Sequence, residues 1–243
     1  MSTNYSPEIV TDSLLLCIDA NGSGTKEFAK GRTITPNGIS VGDYTPSSAG
    51  RTAKAFVFPS GGTARPTLAY TSDWDVRGNM SWDFVACKET DANRQAVWSQ
   101  IEDAGPWEGL GNVSMSHDSN GELAIWGGNY DISTAYGWWD TGITLATDKW
   151  YYCAGTWEST AEKQIVYART VGDSSFTMAS TTSYGPHTGG SSNDVLELGD
   201  NGTGGGATHI IDGGVAFVRI YTRVLSYEEI LQNFNAQRTR FGL

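Results

Sequence analysis

Residues 220–243 read IYTRVLSYEEILQNFNAQRTRFGL and contain the clearest helix signal in the chain. Ser226 is a typical N-cap residue, and Glu229 three positions later completes a capping box, in which each side chain accepts a hydrogen bond from the other residue's backbone N–H. The apolar residues around them recur at helical spacing and form a one-sided stripe: Leu225, Ile230, Leu231 and Phe234. This pattern predicts an amphipathic helix that docks on the rest of the protein.

The chain before this helix consists of short apolar segments separated by turn-forming residues. It has 30 glycines, and only 18% of the residues are charged. An Asn-Gly pair at 120–121 lies between two strand-like runs and is a strong hairpin signal, because type I′ turns need positive φ at both central positions. The clearest strand-like segments are SLLLCIDA (13–20), MSWDFVACKE (80–89), KWYYCAGTWES (149–159), EKQIVYART (162–170) and GGVAFVRIYT (213–222). Short apolar segments that alternate with turn-forming residues are typical of antiparallel sheet proteins.

The charge balance argues against two classes of partner. The net charge is −11, with 27 acidic and 16 basic residues, which is unfavourable for nucleic-acid binding. No run approaches the roughly 18–20 apolar residues of a membrane span, and the first residues lack the basic region of a signal peptide. The end of the chain is locally basic, and we expect its arginines to form a solvated helix face, with an acidic partner surface as the alternative: Arg219, Arg223, Arg238 and Arg240.

Three cysteines, Cys17, Cys87 and Cys153, each lie in an apolar, strand-like run without C-x-x-C spacing. An odd number in such settings predicts buried, reduced thiols and synthesis in a reducing cytoplasm. One disulfide with a leftover thiol is the alternative. The three histidines are scattered and give no metal-binding signature.

The C-terminal pattern resembles the laminin-G-like branch of the concanavalin A-like lectin/glucanase domains, where a strand with an R-I-Y core precedes an L-S-x-E-E-I helix. Residues 219–221 and 225–230 carry this pattern here. SLLLCIDA is similar to the family's opening strand, and DKWYYCAGTWES with KQIVYA is similar to its W-x-x-V-A-x-T strand pair. The ending EILQNFNAQRTRFGL resembles copies from tailed bacteriophages of marine bacteria, where it closes virion proteins. The family's F-D-G-x-D-D-Y stretch is replaced by AFVFPSGGTARPTLAY.

The resemblance implies an all-β fold, an antiparallel β-sandwich of the concanavalin A-like jelly-roll type with one short C-terminal α-helix. Residues 1–12 are then predicted to be an N-terminal arm, and residues 13–243 a single sandwich domain.

The chain lacks the catalytic pattern of the enzymes in this superfamily. The β-glucanases carry E-x-D-x-E or E-x-D-x-x-E on one strand, where alternate carboxylates share a face and act as nucleophile and acid. Glu197 is a lone strand carboxylate here, and Asp194 and Asp200 are each three residues away, on the opposite face of a flat strand. No G-x-S-x-G nucleophile elbow is present. We therefore predict a non-enzymatic protein, and a polysaccharide hydrolase is the least favoured alternative.

Calcium is the metal that the resemblance implies, because many relatives bind it through loop Asp, Asn and carbonyl oxygens. The candidates are Asp200 with Asn201, and Asp140. None of them belongs to a transferable motif, so turn-forming roles are favoured and we predict no cofactor.

Aromatic residues suggest a sugar-binding surface between residues 105 and 140. Trp138 and Trp139 are adjacent, so in a strand they point to opposite faces, and both are not expected in one core. Tryptophan as core filler is the competing interpretation for each residue. The glycan-binding candidates are Trp107, Trp126, Tyr136, Trp138 and Trp139.

The sequence thus predicts a non-enzymatic structural protein of a bacteriophage particle, such as a capsid decoration, a head fibre or a tail-associated subunit. It would lie on the virion surface after synthesis in the host cytoplasm, and would assemble with itself as a homo-oligomer and with other virion proteins. Its lectin-like sandwich would serve adhesion to host-surface polysaccharide. The alternative is a carbohydrate-binding module proper.

Overall fold

The computed structural model of the chain describes residues 8–22, 24–74, 78–91, 95–100, 111–116, 120–129, 136–185, 195–200 and 209–243. Within these ranges the side chains of residues 111, 127–129, 136–137 and 184–185 are not described. All structural statements below refer to this part of the chain.

The described residues form mostly short β-strands, one 3₁₀ turn at Ser72–Trp74 and one α-helix, α1, at Tyr227–Phe241. In chain order the strands are β1 (Leu14–Asp19), β2 (Ile34–Thr35), β3 (Ser40–Tyr44), β4 (Ala53–Phe58), β5 (Thr67–Leu68), β6 (Met80–Lys88), β7 (Ala96–Gln100), β8 (Gly111–Ser114), β9 (Glu122–Asn129), β10 (Tyr136–Thr144), β11 (Tyr151–Glu158), β12 (Lys163–Thr170), β13 (Thr177–Thr181), β14 (Tyr184–Gly185), β15 (Leu196–Leu198) and β16 (Gly213–Tyr221).

The strands form two antiparallel sheets that pack face to face. The helix-bearing sheet, on whose outer face α1 lies, has the order β13-β12-β11-β6-β16-β4-β3, and β1 also pairs with β16. The second sheet has the order β10-β9-β8-β7-β15-β5-β2, and β14 also pairs with β9. The predicted antiparallel sandwich with one C-terminal helix is therefore confirmed. Strands β8 and β9 pair, as the hairpin signal at 120–121 predicted, but β8 ends at Ser114, so the connection is longer than the two residues of a type I′ turn.

Strand β16 is the centre of the helix-bearing sheet. It pairs with β6 along one edge, while its other edge pairs first with β4 and then with β1. A register shift between Val215 and Phe217 lies where the partner changes. All nine residues of β16 are buried, because both faces of this sheet are covered.

The sandwich has two apolar cores. The first lies between the sheets and contains large residues such as Phe58, Phe84 and Trp98. The ring of Trp82 packs against Gly155 of β11 in this core, and a Cβ at that position would overlap the ring, so glycine is required there.

The second core lies between the helix-bearing sheet and α1. Ile230, Phe234 and Phe241 of the helix are buried there, and Leu231 packs against the same cluster. Tyr152 and Phe176 surround Phe234 with ring centroids 5.4 Å from its own. The docking that the apolar stripe predicted is confirmed.

Both ends of α1 are capped, and the capping box at its start is the one that the sequence predicted. The side-chain oxygen of Ser226 accepts a hydrogen bond from the backbone N–H of Glu229, and a Glu229 carboxylate oxygen accepts one from the Ser226 N–H. At the other end Gly242 has a φ of 77°, and its N–H donates to the carbonyl of Arg238. Orphan backbone groups at both termini are thereby satisfied.

A buried ion pair lies under the helix. Arg219 of β16 donates from Nε and Nη2 to the two carboxylate oxygens of Asp83 on β6, at 2.7 and 2.9 Å. The Tyr152 hydroxyl and the Asn233 amide of α1 also donate to Asp83, at 2.8 and 3.1 Å. Burial alone would lower the pKa of Arg219, but the Asp83 carboxylate raises it above its ordinary value. Asn233 Oδ1 accepts a hydrogen bond from the backbone N–H of Val10, which ties the N-terminal segment to the same network.

The arginines near the C-terminus do not form the solvated face that the sequence suggested. The interpretation is wrong for three of the four, because cross-strand and helix geometry brings each to a carboxylate of this chain: Arg219 to Asp83, Arg223 to Asp12 and Glu229, and Arg240 to Asp19. No helix in the described part of the chain is long and apolar enough to cross a membrane.

Truncating Phe234 to Ala should lower the free energy of unfolding by about 3–5 kcal/mol, because it empties the centre of the second core. Ser226→Ala should cost about 1 kcal/mol, the usual loss of an N-cap. Denaturant unfolding followed by tryptophan fluorescence measures both. Equal unfolding midpoints for Phe234→Ala and the unaltered protein would show that α1 contributes nothing to the fold of the monomer.

Candidate functional site

The outer face of the second sheet carries a row of directly paired side chains that runs across five strands. The pairs are Glu197 with Ser99, Ser99 with Asn112, Asn112 with Trp126, and Trp126 with Trp138. We call these five residues the outer row. Directly paired residues project to the same face of a sheet, and the residues next to them in sequence, such as Val113 and Ile125, belong to the inter-sheet core. The outer row therefore faces away from that core.

Strand alternation separates the two adjacent tryptophans of β10. Trp138 belongs to the outer row, whereas Trp139 pairs with Ile125 and packs against the inter-sheet core. The two rings therefore lie on opposite faces, as the sequence predicted for a strand. Of these two, Trp138 is the one available to a ligand on the outer face.

The aromatic end of the outer row is formed by Trp126 and Trp138. Their ring centroids are 5.5 Å apart, with an interplanar angle of 63°. This edge-on arrangement is favourable for an aromatic pair. Both side chains are half-buried, so each keeps part of its surface accessible to solvent.

The middle of the outer row is polar and buried. Ser99 and Asn112 are both fully inaccessible to solvent. The Ser114 hydroxyl donates to Asn112 Oδ1 at 3.1 Å, but within the described residues the Asn112 Nδ2 and the Ser99 Oγ have no hydrogen-bond partner. A buried polar atom without a partner costs about 1–3 kcal/mol.

The far end of the row carries a charged triad of Arg65, Glu197 and Asp200. Arg65 Nε lies 2.9 Å from Glu197 Oε1, and its Nη1 contacts Asp200 Oδ2. The sequence placed Asp200 on the opposite face from Glu197, and this was wrong. Strand β15 ends at Leu198, and Gly199 with a φ of 79° breaks the alternation, so both carboxylates reach one guanidinium.

Two of the five glycan-binding candidates, Trp126 and Trp138, meet on the outer face. Tyr136 begins β10, but its side chain lies outside the described residues, as does the whole of Trp107. Asn201, a calcium candidate, also lies outside them. Glycan binding by these residues remains a prediction.

The sequence did not point to Ser99 or Asn112. Polar residues in short strands look like ordinary solvent-facing positions, and only the cross-strand register shows that these two are buried beside Trp126. The alternation of AVWSQ, with Ser99 between Trp98 and Gln100, was the only local signal.

A small cavity lined by residues of both sheets, including Asn112 and Trp126 of the outer row, is not itself a sugar site. The space open to the centre of a water molecule is about 10 Å³, enough for roughly one water and not for a sugar ring. Its lining is Met80, Trp82, Trp98, Asn112, Val113, Ile125, Trp126, Trp157 and Gln164.

Metal and nucleophile chemistry finds little support in the described residues. They contain no group of three or more His, Cys, Asp or Glu side chains that could hold a metal ion. The three cysteines are free and buried, which confirms the expectation from their sequence settings. Burial raises the pKa of Cys17 and of Cys87 to about 12, and it also raises that of Cys153.

The fold is similar to that of several solved structures. The CBM40 of the Ruminococcus gnavus IT-sialidase bound to α2,3-sialyllactose aligns with a TM-score of 0.51 and 11% identity, over 65% of this chain and 82% of that one. The binding domain of botulinum neurotoxin serotype D aligns with a TM-score of 0.51 and 13% identity, over 94% of this chain and 52% of that one. Trypanosoma rangeli sialidase in complex with sialic acid aligns with a TM-score of 0.56 and 14% identity, over 93% of this chain and 33% of that one.

These identities show a shared β-sandwich fold alone. The chain spans about half the length of the toxin domain and a third of the T. rangeli sialidase. No protein-family model and no curated protein matches the sequence.

The thiols provide a test of the buried, reduced state. In the native protein at pH 8 they should resist alkylation, because with a pKa of about 12 only about one thiol in ten thousand is the reactive thiolate. While the protein stays folded, the slow native reaction should accelerate about tenfold for each unit of pH, in step with the thiolate fraction. After denaturation without reductant, all three should be alkylated, as counted by mass spectrometry. Recovery of a single free thiol would instead indicate a disulfide.

Proposed function

We propose that this domain is a non-enzymatic glycan-binding module whose contact surface is the aromatic end of the outer row. The observation that carries the proposal is the pairing of two half-buried tryptophans, Trp126 and Trp138, on the outer face of the second sheet. Sugar rings have apolar C–H faces that stack on indole rings, and hydroxyls that need hydrogen-bond partners. The two neighbouring indole rings supply the stacking surface.

The solved structures support this proposal at the level of the fold. One of them, the CBM40 of the Ruminococcus gnavus IT-sialidase, is bound to α2,3-sialyllactose, and the alignment spans 82% of its length. A sandwich of this kind is thus compatible with saccharide binding, while the residues that would do so in this chain are its own.

The absence of an enzymatic role is part of the proposal. The best-placed carboxylates of the described outer face, Glu197 and Asp200, share Arg65 in ion pairs. A glycoside hydrolase needs one carboxyl group protonated as the acid and a second as nucleophile or base. Two carboxylates that are both ion-paired with one guanidinium are poorly suited to act as a protonated acid and a separate nucleophile or base.

We also propose the virion role, on the basis of the C-terminal pattern. The strand and capped helix that resemble the ending of phage virion proteins form a single docked unit here, from Gly213 to Phe241. Self-association and contacts with other virion proteins belong to the same proposal. Mass spectrometry of purified particles should detect the chain in stoichiometric amounts, and labelling of intact particles should place it at their surface. Particles that lack the chain would refute this role.

Glycan binding can be tested with a matched pair of variants in which one of two neighbouring tryptophans is replaced by alanine. Trp138→Ala should weaken binding to a responsive oligosaccharide by about tenfold or more, as the loss of an aromatic anchor does, with little change in melting temperature. Trp139→Ala should lower the melting temperature, because this ring packs on the core, but folded protein should still bind. Oligosaccharide arrays with and without calcium, followed by titration of the best responder, measure these effects.

Phe28→Ala serves as a control, since Phe28 is 60% exposed and follows β1 of the helix-bearing sheet. Phe28→Ala should change neither the affinity for the oligosaccharide nor the melting temperature. Equal binding by Trp138→Ala and the unaltered protein would show that the outer row is not the site.

A further inference from the structure

Strand β13 is the last strand of the helix-bearing sheet in the described part of the chain. Among the described strands it pairs with β12 alone, so its other edge faces away from the sheet. Such an edge is a template for pairing with another chain, and proteins commonly protect it with charged side chains, proline, β-bulges or very short strands. β13 reads TMAST, pairs with β12 without a register shift and has none of these features.

The other strands at sheet edges in the described residues are each protected. On β3, at the far end of the same sheet, Asp43 forms an ion pair with Lys54 at 2.9 Å. β10 carries the exposed Asp140 and a register shift that begins there. The outer edge of β1 is covered by the segment after it, since the Cys17 N–H donates to a carboxylate oxygen of Glu27. β2 and β14 are two residues long. Within this part of the chain, β13 is the edge best suited to strand addition.

Exposed apolar side chains lie beside this edge. Met178 of β13 is 52% exposed and pairs with Tyr167, which belongs to the core under α1, so both lie on the outer face of the helix-bearing sheet. Tyr227, at the start of α1, is 42% exposed, and its ring centroid is 6.0 Å from that of Tyr167. A chain paired with β13 would cover part of this apolar flank.

Charge indicates that the pairing chain is a second copy of this one. The net charge of −11 makes two copies repel each other in most orientations. Residues 174–193, which include β13, contain no Asp, Glu, Lys or Arg. Charges of both signs flank the strand on the helix-bearing face, with Arg169 beside Phe176 and Glu228 next to Tyr227. Two copies can therefore meet at this edge without direct repulsion between the paired strands.

We propose that β13 pairs antiparallel with β13 of a second copy, so that the two helix-bearing sheets join into one continuous sheet. The inference names the surface for the self-association proposed above. A two-fold axis perpendicular to the sheet relates the two strands, and two-fold dimers are the commonest homo-oligomers. Such an axis keeps each face of the sheet on its own side in both copies. The two second sheets therefore lie on one side of the dimer, and both α1 helices lie on the other.

This pairing presents two proposed glycan-binding surfaces in the same direction. β13 lies against β10 of the second sheet, and β10 is the edge strand that carries Trp138. The two outer rows are then neighbours on one side of the dimer. Binding to a densely glycosylated surface becomes bivalent, which strengthens it by about a hundredfold or more without a new contact. This consequence rests on the proposed glycan-binding function, whereas the dimer itself does not.

A lysine at either end of the helix-bearing sheet tests the interface. Ser180 is exposed on β13, and Ser40 is exposed on β3 at the opposite end. Sedimentation equilibrium over a dilution series should show a reversible dimer for the unaltered protein. Ser180→Lys should weaken dimerisation by about tenfold or more, because pairing would have to desolvate the added charge. Ser40→Lys makes the same change in net charge and should leave dimerisation unchanged.

A second measurement separates the dimer from the glycan site. On a surface densely coated with the responding oligosaccharide, Ser180→Lys should bind about tenfold or more weakly than the unaltered protein, because it has lost bivalency. Titration with the free oligosaccharide should give the same affinity for both proteins. Melting temperatures measured in dilute solution should also agree, since Ser180 is exposed in the monomer.

Each outcome has a distinct meaning. A monomer at every concentration, or a dimer that Ser180→Lys and Ser40→Lys affect equally, would overturn the inference and leave the glycan-binding function in place. Binding to no oligosaccharide would overturn the glycan-binding function and leave the dimer in place. A dimer that only Ser180→Lys dissociates, with unchanged binding to the coated surface, would confirm the strand pairing and contradict the bivalent presentation.

Discussion

Asp83 and Arg219 face each other from neighbouring strands and form an ion pair that neither solvent nor salt reaches. Taking both charges out of water is costly, and the cost is offset only when every donor and acceptor is used. Here the carboxylate also accepts hydrogen bonds from Tyr152 and from Asn233 of the helix. The helix, through the same asparagine, holds the backbone of Val10. One buried pair thus links the central strands, the C-terminal helix and the N-terminal segment.

This arrangement assigns different roles to the outer faces of the two sheets. The face that contains the ion pair is covered by α1, whose Phe234 fills a second core between Tyr152 and Phe176. The outer face of the second sheet instead carries paired tryptophans and polar side chains. Rigid strands hold those side chains at fixed cross-strand spacings, so a ligand would meet a preorganised surface. The proposed function follows from that asymmetry.

Charge distinguishes the two faces further. Near the helix, arginines pair with carboxylates of the chain and neutralise them, as Arg240 does with Asp19. Between Arg94 and Lys149, the stretch that forms β7 to β10 of the second sheet, the chain has no lysine or arginine.

The sequence alone predicted antiparallel strands and the capped helix, because these depend on local periodicity and on turn and capping chemistry, and its resemblance to concanavalin A-like domains implied the sandwich. It also predicted that Trp138 and Trp139 face opposite ways, since alternation is a property of any strand. Only the tertiary structure revealed that Asn112 lies beside Trp126 and that Arg219 is buried on Asp83. Those contacts join strands distant in sequence, and their register depends on how the whole sheet packs, which no local pattern encodes.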